Sequence, residues 1–278
     1  MSAVAVGPPT NIGQRMKLAV SDGLVVAWRN LVTIWRVPTV LVFELVQPIM
    51  FVLLFRFVYE NAFQQIPFDY VLFLMPGIFV QNAIFGSTST AIGLAEDLKK
   101  GLLDRFRSLP MARSAVLAGR TTSDLAKNLI LVLVMIAIGY LVGFRFQNGF
   151  VPAVGVVVVV LAVSFTFSWI SATIGLAIKQ VEGVQAAVFT LIFPFVFISA
   201  AFIPIEAMSS ALQPIARNNP VTHWVDLARY LSLGKENFEA TASTTASLDD
   251  LVIVSTLWVV GLLAVFIPVS IRLYRRLT

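Results

Sequence analysis

The 278-residue chain is 58% hydrophobic and 13% charged, with a formal net charge of +5 and a mean hydropathy of +0.87. Ordinary soluble domains carry about a quarter charged residues, so the charge needed to wet a soluble surface is missing. Cysteine is absent, which excludes a disulfide framework and any thiolate metal site.

Residues 1–13 are small, polar and rich in proline, and are expected to form a disordered tail with no secretory signal. Residues 14–36, QRMKLAVSDGLVVAWRNLVTIWR, place Leu18, Leu24, Val25, Trp28, Leu31, Val32 and Trp35 at helical spacing. Arg15, Lys17, Asp22, Arg29 and Asn30 fall between them. A basic amphipathic helix edged with Trp lies in the interface plane, as an anchor on membrane lipid or as a docking surface.

Six apolar windows follow, at 38–58, 70–95, 122–143, 151–177, 184–204 and 250–271. Each is long enough to cross a hydrocarbon core of roughly 30 Å at about 1.5 Å per residue. Backbone polar groups in lipid have to be satisfied within the segment, so these windows read as helices. A β-barrel would show alternating strands of about ten residues. The fold class is thus an all-α integral membrane protein, with residues 37–278 as a single six-span domain.

The first window holds Glu44, one turn before Gln47-Pro48. A carboxyl in a bilayer is costly without a partner. It either pairs with an interfacial residue or another helix, or contacts a transported molecule. The second window carries Pro76-Gly77, Gln81, Asn82 and the run GSTST at 86–90, small and hydroxyl residues that let helices approach and hydrogen-bond.

Between the second and third windows, residues 96–120 gather six Lys or Arg. Leu98, Leu102, Phe106 and Leu109 share one helical face, with Lys99, Lys100, Asp104, Arg105 and Arg107 on the remainder and Pro110 closing the segment. So short a helix needs a surface to lie on, either headgroups or a partner's groove. Asp124 and Lys127, at the start of the third window, read as headgroup-level residues with little functional signal.

The fifth window contains five phenylalanines and Pro194, which should kink it. Phe189, Phe193 and Phe197 recur on one face. Beyond it, Met208, Leu212 and Ile215 suggest a short amphipathic helix broken by Pro214 and Pro220, and 234–248 reads as a surface loop.

Short cytoplasmic loops are enriched in Lys and Arg. Fifteen basic residues fall on the side of the termini and the 96–120 segment, and five on the other. Both termini are therefore expected in the cytoplasm, and the positive charge marks topology rather than a nucleic-acid partner. Single cysteines placed at Ser108 and Ser243 should label from opposite sides, Ser108 only from the cytoplasm. Labelling of both from outside intact cells would remove the six-span reading.

No G-x-x-x-x-G-K-[ST] is present, so ATP hydrolysis by the phosphate-loop route is not expected here. No catalytic residue and no metal site is assigned. A membrane-embedded enzyme acting on lipid would need clustered acids or histidines. The candidates reduce to Glu44 and the sole histidine, His223. A secondary transporter would carry repeats and ionisable groups near the midplane, and only Glu44 offers itself.

The segment GLLDRFRSLPMARSAVLAGR (101–120) resembles the cytoplasmic loop of type 2 ABC exporter permeases, the daunorubicin-resistance branch in particular. WRVPTVLVFELVQPIMFVLLF (35–55), GYLVGFRFQNG (139–149) and IARNNPVTHWVDLAR (215–229) are similar to the same family, in the same order. The resemblance implies a permease subunit of an ATP-driven exporter for a hydrophobic or amphipathic drug or lipid-like molecule. It implies that Leu98, Leu102, Asp104, Arg105, Phe106, Arg107, Leu109 and Pro110 belong to a coupling helix seated in a separate P-loop ATPase subunit. ATP and Mg would reside on that subunit, with no cofactor in this chain. A second permease chain, identical or paralogous, would complete the route. Spans two and five would line it, with Gln81, Asn82, Ser87, Thr88, Phe189, Phe193 and Phe197 as candidate contacts. The stretch after the fifth span would form a re-entrant hairpin on the outer face.

Overall fold

A computed structural model describes residues 38–58, 69–100, 113–241 and 246–277. The 1–13 tail, the 14–36 amphipathic segment, and Leu102, Asp104, Arg105, Phe106, Arg107, Leu109 and Pro110 of the charged loop lie outside the described residues. All regular structure among the described residues is helical.

Helix α1 (Pro38–Leu53) runs into a π-helical stretch, Leu54–Val58. It shows Phe43, Val46, Met50 and Leu53 outward and buries Val52 and Phe55. Helix α2 (Tyr70–Gly86) starts where the Asp69 carboxylate accepts a hydrogen bond from the Val71 N–H. It is apolar on every side and almost wholly buried, as expected of a central helix.

The predicted second window divides at Ser87. Ser87, Thr88 and Ser89 each donate a hydroxyl hydrogen bond to the carbonyl three residues back, at 2.6, 2.7 and 2.9 Å. Such back-bonding competes with the regular ladder and bends helices. Helix α3 (Thr88–Lys99) resumes immediately, so α2 and α3 form one 30-residue rod long and apolar enough to cross a membrane.

Helix α4 spans Arg113–Val142, beginning nine residues before the predicted window. Helix α5 (Phe150–Ile178) agrees with its window to within a residue at each end. It packs against α3 so closely that a Cβ at Gly175 would stand 2.5 Å from the Ala91 carbonyl oxygen. Small residues permit this approach between helices in lipid.

Helix α6 (Val181–Phe197) stops well before residue 204. At 17 residues it rises about 25 Å, less than a full hydrocarbon core. Pro194 lies inside the helix, which continues for three residues beyond it, and the chain leaves the helix at Ile198.

The predicted amphipathic helix around Met208, Leu212 and Ile215 does not form as one piece. A 3-10 turn (Ile205–Ala207) and helix α7 (Gln213–Arg217) occupy the region, with Leu212 and Ile215 exposed. The long helix after them is α8 (Pro220–Leu233), capped by Asn219 and started by a proline at its first position. Residues 235–241 form helix α9 (Lys235–Thr241) rather than a loop. Its Phe238 is fully buried, with its ring 5.1 Å from that of Tyr230.

Helix α10 (Leu248–Leu277) closes the described chain and exposes Ile253, Leu257, Val260 and Val265. Four helical rods among the described residues are long and apolar enough to cross a membrane: α2–α3, α4 from Arg120, α5 and α10. The protein is an all-helical membrane protein.

Candidate functional site

Polar groups in an apolar bundle are expensive, so where they collect shows what the fold is built around. Lys127 is the centre of one collection. It lies in the middle of α4 and is 3% exposed. Asp124 and Lys127, expected at headgroup level, are both buried inside the bundle. Hydropathy marks where the greasy stretch begins, whereas the helix begins nearly three turns earlier.

The Lys127 ammonium donates three hydrogen bonds: to Glu44 Oε1 at 2.9 Å, to the Gly86 carbonyl at 3.0 Å and to Ser89 Oγ at 2.5 Å. An ammonium has three donors, and all are used. Asp124, one turn earlier on α4, accepts from Thr90 Oγ1, and its carbonyl accepts from Asn128 Nδ2 at 2.9 Å. Further along the same helix, Arg120 Nη1 meets Asp97 Oδ2 at 2.6 Å. Three polar links thus tie α4 to α1 and α3. Two of them sit at the Ser87 break, where Lys127 meets the Gly86 carbonyl and Ser89, and Asp124 meets Thr90.

Beside this cluster, a cavity of about 440 Å³ lies between α1, the α2–α3 unit and α6. Glu44, Gln47, Gln81, Asn82, Thr88 and Ser89 supply its polar wall, and Phe43, Phe85, Ile92, Val188 and Phe189 its apolar wall. Glu44 Oε2 and Gln81 Oε1 are buried acceptors without a hydrogen-bond partner.

Of the residues singled out in the sequence, Gln81, Asn82, Thr88, Phe189 and Glu44 come together in this cavity. Ser87 does not line it; it is fully buried and bonded to the Ile84 carbonyl. Phe193 and Phe197 continue from Phe189 as a stack along α6. Phe85 reaches Phe189 and Phe193 at 6.3 and 6.5 Å, Phe193 stacks on Phe197 at 4.0 Å, and Phe197 meets Phe202 and Phe51 at 5.1 and 5.8 Å. Leu98 is half-buried at the end of α3 and packs with Leu94, Trp169 and Tyr274. Phe43 and Val188 escape sequence reasoning, since nothing local marks them as neighbours of Gln81, whereas Ser89 belongs to the GSTST run singled out in the sequence.

A second polar centre organises the α6–α8 connection. Asn219 donates to the Phe195 and Ile198 carbonyls at 2.6 and 2.5 Å, while its Oδ1 accepts from the Val221 N–H at 2.9 Å. One amide therefore closes the end of α6 and opens α8. Arg229, 1% exposed, donates to Phe73 O at 3.1 Å, Asp226 Oδ1 at 3.0 Å and Ala200 O at 2.6 Å. Its guanidinium also lies 3.7 Å from the centre of the Phe73 ring. The Phe73 carbonyl and ring anchor α8 to the central helix, and a Cβ at Gly77, one turn on, would collide with the Ala201 carbonyl.

Comparison with known proteins agrees with this architecture. The model of a family described as "ABC-2 type transporter" matches residues 23–233. The chain is 32% identical to a daunorubicin resistance ABC transporter permease protein of Streptomyces coeruleorubidus, over 92% of this chain and 87% of that one. It is 29% identical to a probable doxorubicin resistance ABC transporter permease protein of Mycobacterium tuberculosis, over 68% of this chain and 69% of that one. A putative transport permease of Pyropia yezoensis is 26% identical over 73% of this chain and 71% of its own length.

Proposed function

The chain belongs to the ABC-2 type transporter family, and from that premise we propose that it is a six-span permease subunit exporting a hydrophobic or amphipathic molecule across the cell membrane. The observation that carries this reading is the cavity between α1, α2–α3 and α6, where a buried ion pair and unpartnered acceptors stand inside an otherwise apolar bundle. A purely structural membrane bundle has no need of such a chamber. At about 440 Å³ it is of the size that takes a drug-sized ligand.

In this reading both termini face the cytoplasm and residues 14–36 lie in the interface as an amphipathic helix. The α7–α8 region forms the outer-face hairpin, fixed to the bundle through Arg229 and Asn219. A second permease chain, identical or paralogous, closes the route on its open side. Energy comes from a separate P-loop ATPase subunit carrying ATP and Mg, because the sequence contains no phosphate-cradling loop. Leu98, Leu102, Phe106 and Leu109 begin and carry the element that seats in that subunit.

The test replaces Leu102 and Phe106 with Asp. This removes two apolar side chains from a buried contact, each worth about 1.5–3 kcal/mol, and asks the partner's cleft to bury unpaired charge, which costs more. The expected result is normal membrane expression with loss of both co-purifying ATPase subunit and transport. A double variant that retains its ATPase at wild-type stoichiometry and still transports would show that this loop is not the coupling element.

A further inference from the structure

We infer that the turn between α4 and α5 is a binding site for the phosphodiester head of a membrane lipid, with Arg145 as the residue that holds it. The inference rests on the chain being an all-helical membrane protein. It is independent of the cavity, of the cargo and of the direction of transport.

Depth comes first. Both helices that frame the turn are long and apolar enough to cross a membrane. The apolar part of α4, Arg120–Val142, rises about 35 Å, slightly more than a hydrocarbon core of roughly 30 Å. Its last turn, with Tyr140 and Leu141, therefore stands at headgroup level, as does Phe150 at the start of α5. The connection is firmly held. Gly143 takes a φ of 109°, a conformation open to glycine. Phe144 is fully buried, with its ring 5.6 Å from that of Phe79, and the Gln147 N–H donates to the Ser232 carbonyl at 2.9 Å.

Arg145 is fixed on this frame rather than trailing into solvent. Its Nη1 donates to the Tyr140 carbonyl at 2.6 Å and to the Phe144 carbonyl at 2.7 Å, and its guanidinium carbon lies 4.8 Å from the centre of the Tyr140 ring. The first bond satisfies a carbonyl that the end of α4 leaves open. That structural task occupies Nη1 alone. A guanidinium has five N–H groups, and the three on Nε and Nη2 have no partner among the described residues. Nε and Nη2 share one edge of the plane, the fork that takes two oxygens of a phosphate at once. The surroundings name the rest of the ligand. Leu141, Phe150 and Val151, which border the turn in the chain, are 87, 82 and 79% exposed, more than any other large apolar residue described. A free phosphate ion gains nothing from such neighbours, whereas a lipid brings acyl chains that cover them. Charge and apolar exposure at one depth point to a single occupant, an anionic head on a molecule with hydrocarbon chains.

The experiment uses the full-length chain, stripped of lipid in dodecyl maltoside, and follows bound lipid by native mass spectrometry. The probes are dioleoyl phosphatidylglycerol, dioleoylglycerol (the same chains without phosphate) and inorganic phosphate. Saturable phosphatidylglycerol binding is expected, about ten-fold tighter than dioleoylglycerol, the step that one charge-assisted hydrogen bond supplies. Inorganic phosphate should not compete. Arg145→Gln should weaken the tightest phosphatidylglycerol site about ten-fold and leave dioleoylglycerol unchanged. Arg145→Lys keeps the charge without the fork, and its affinity should fall between the two. Should Arg145→Gln fail to fold, Arg145→Lys and the ranking of the probes on the wild type keep the inference open to refutation.

Phosphatidylglycerol binding that is indifferent to both Arg145 variants, or that dioleoylglycerol matches, overturns the inference. Competition by inorganic phosphate would assign the fork to a free anion and overturn it as well. So would an Arg145→Gln variant that binds lipid as the wild type does but loses a complex between two copies of the chain, since the turn would then be an interface between protomers.

Discussion

Replacing Lys127 with Met is expected to abolish recovery of folded, monodisperse protein. The Lys127 side chain is 4% exposed, and its ammonium satisfies Glu44, the Gly86 carbonyl and Ser89 together. Methionine matches its length and supplies none of the three bonds. Breaking a buried pair by deleting one partner costs about 3–5 kcal/mol, because the surviving charge is left uncompensated. Domains have only about 5–15 kcal/mol of stability in total. The measurement is the thermal midpoint and size-exclusion profile in mild detergent. Combining Lys127→Met with Glu44→Gln should recover a large part of the loss, since no unpaired carboxylate then remains on α1. A single Lys127→Met variant with a wild-type midpoint would show that the pair does not hold α1 to α4.

Arg229→Met should be nearly as damaging, by a different route. Arg229 joins three separate pieces of chain: α8 through Asp226, the central helix through the Phe73 carbonyl and ring, and the turn after α6 through the Ala200 carbonyl. Without it, Asp226 is a buried carboxyl with no ion-pair partner and two carbonyls lose donors, again a loss of about 3–5 kcal/mol. Arg229→Lys keeps the charge but not the planar fork that reaches several acceptors at once. The expected order of thermal midpoints is wild type, then Lys, then Met. Equal midpoints for all three would mean that the hairpin is held by its apolar contacts alone.

Hydropathy marks the spans because the bilayer imposes one requirement on every residue of a span, and a one-dimensional average detects it. Helix α5 ends within a residue of its window for that reason. Ends set by other forces are read poorly. Helix α4 extends well beyond its apolar part, and α6 stops at Phe197, where Asn219 from a later part of the chain takes the Phe195 and Ile198 carbonyls. Helix α9 went unread because its short polar sequence is held in place by Phe238, whose partners lie in α8 and α10.

The candidate site shows the same division. Gln81, Asn82, Thr88, Phe189 and Glu44 are each conspicuous in the sequence, as polar atoms in a span or aromatics in register. That they share one cavity follows from helix packing, which no local pattern encodes. Lys127 was misplaced for the corresponding reason: its meaning lies in Glu44, 83 positions away.

That separation also sets an order of events during synthesis. Glu44 is synthesised first, and its partner is made 83 residues later. At about 5–20 residues per second, the interval is roughly 4–17 s. For that time α1 carries a carboxyl without its ion-pair partner. Leu98 and the charged loop are also completed within this interval, before α4 has arrived to fix α1. The first helix is thus without its ion-pair partner while the charged loop is being laid down, and the emergence of Lys127 supplies it.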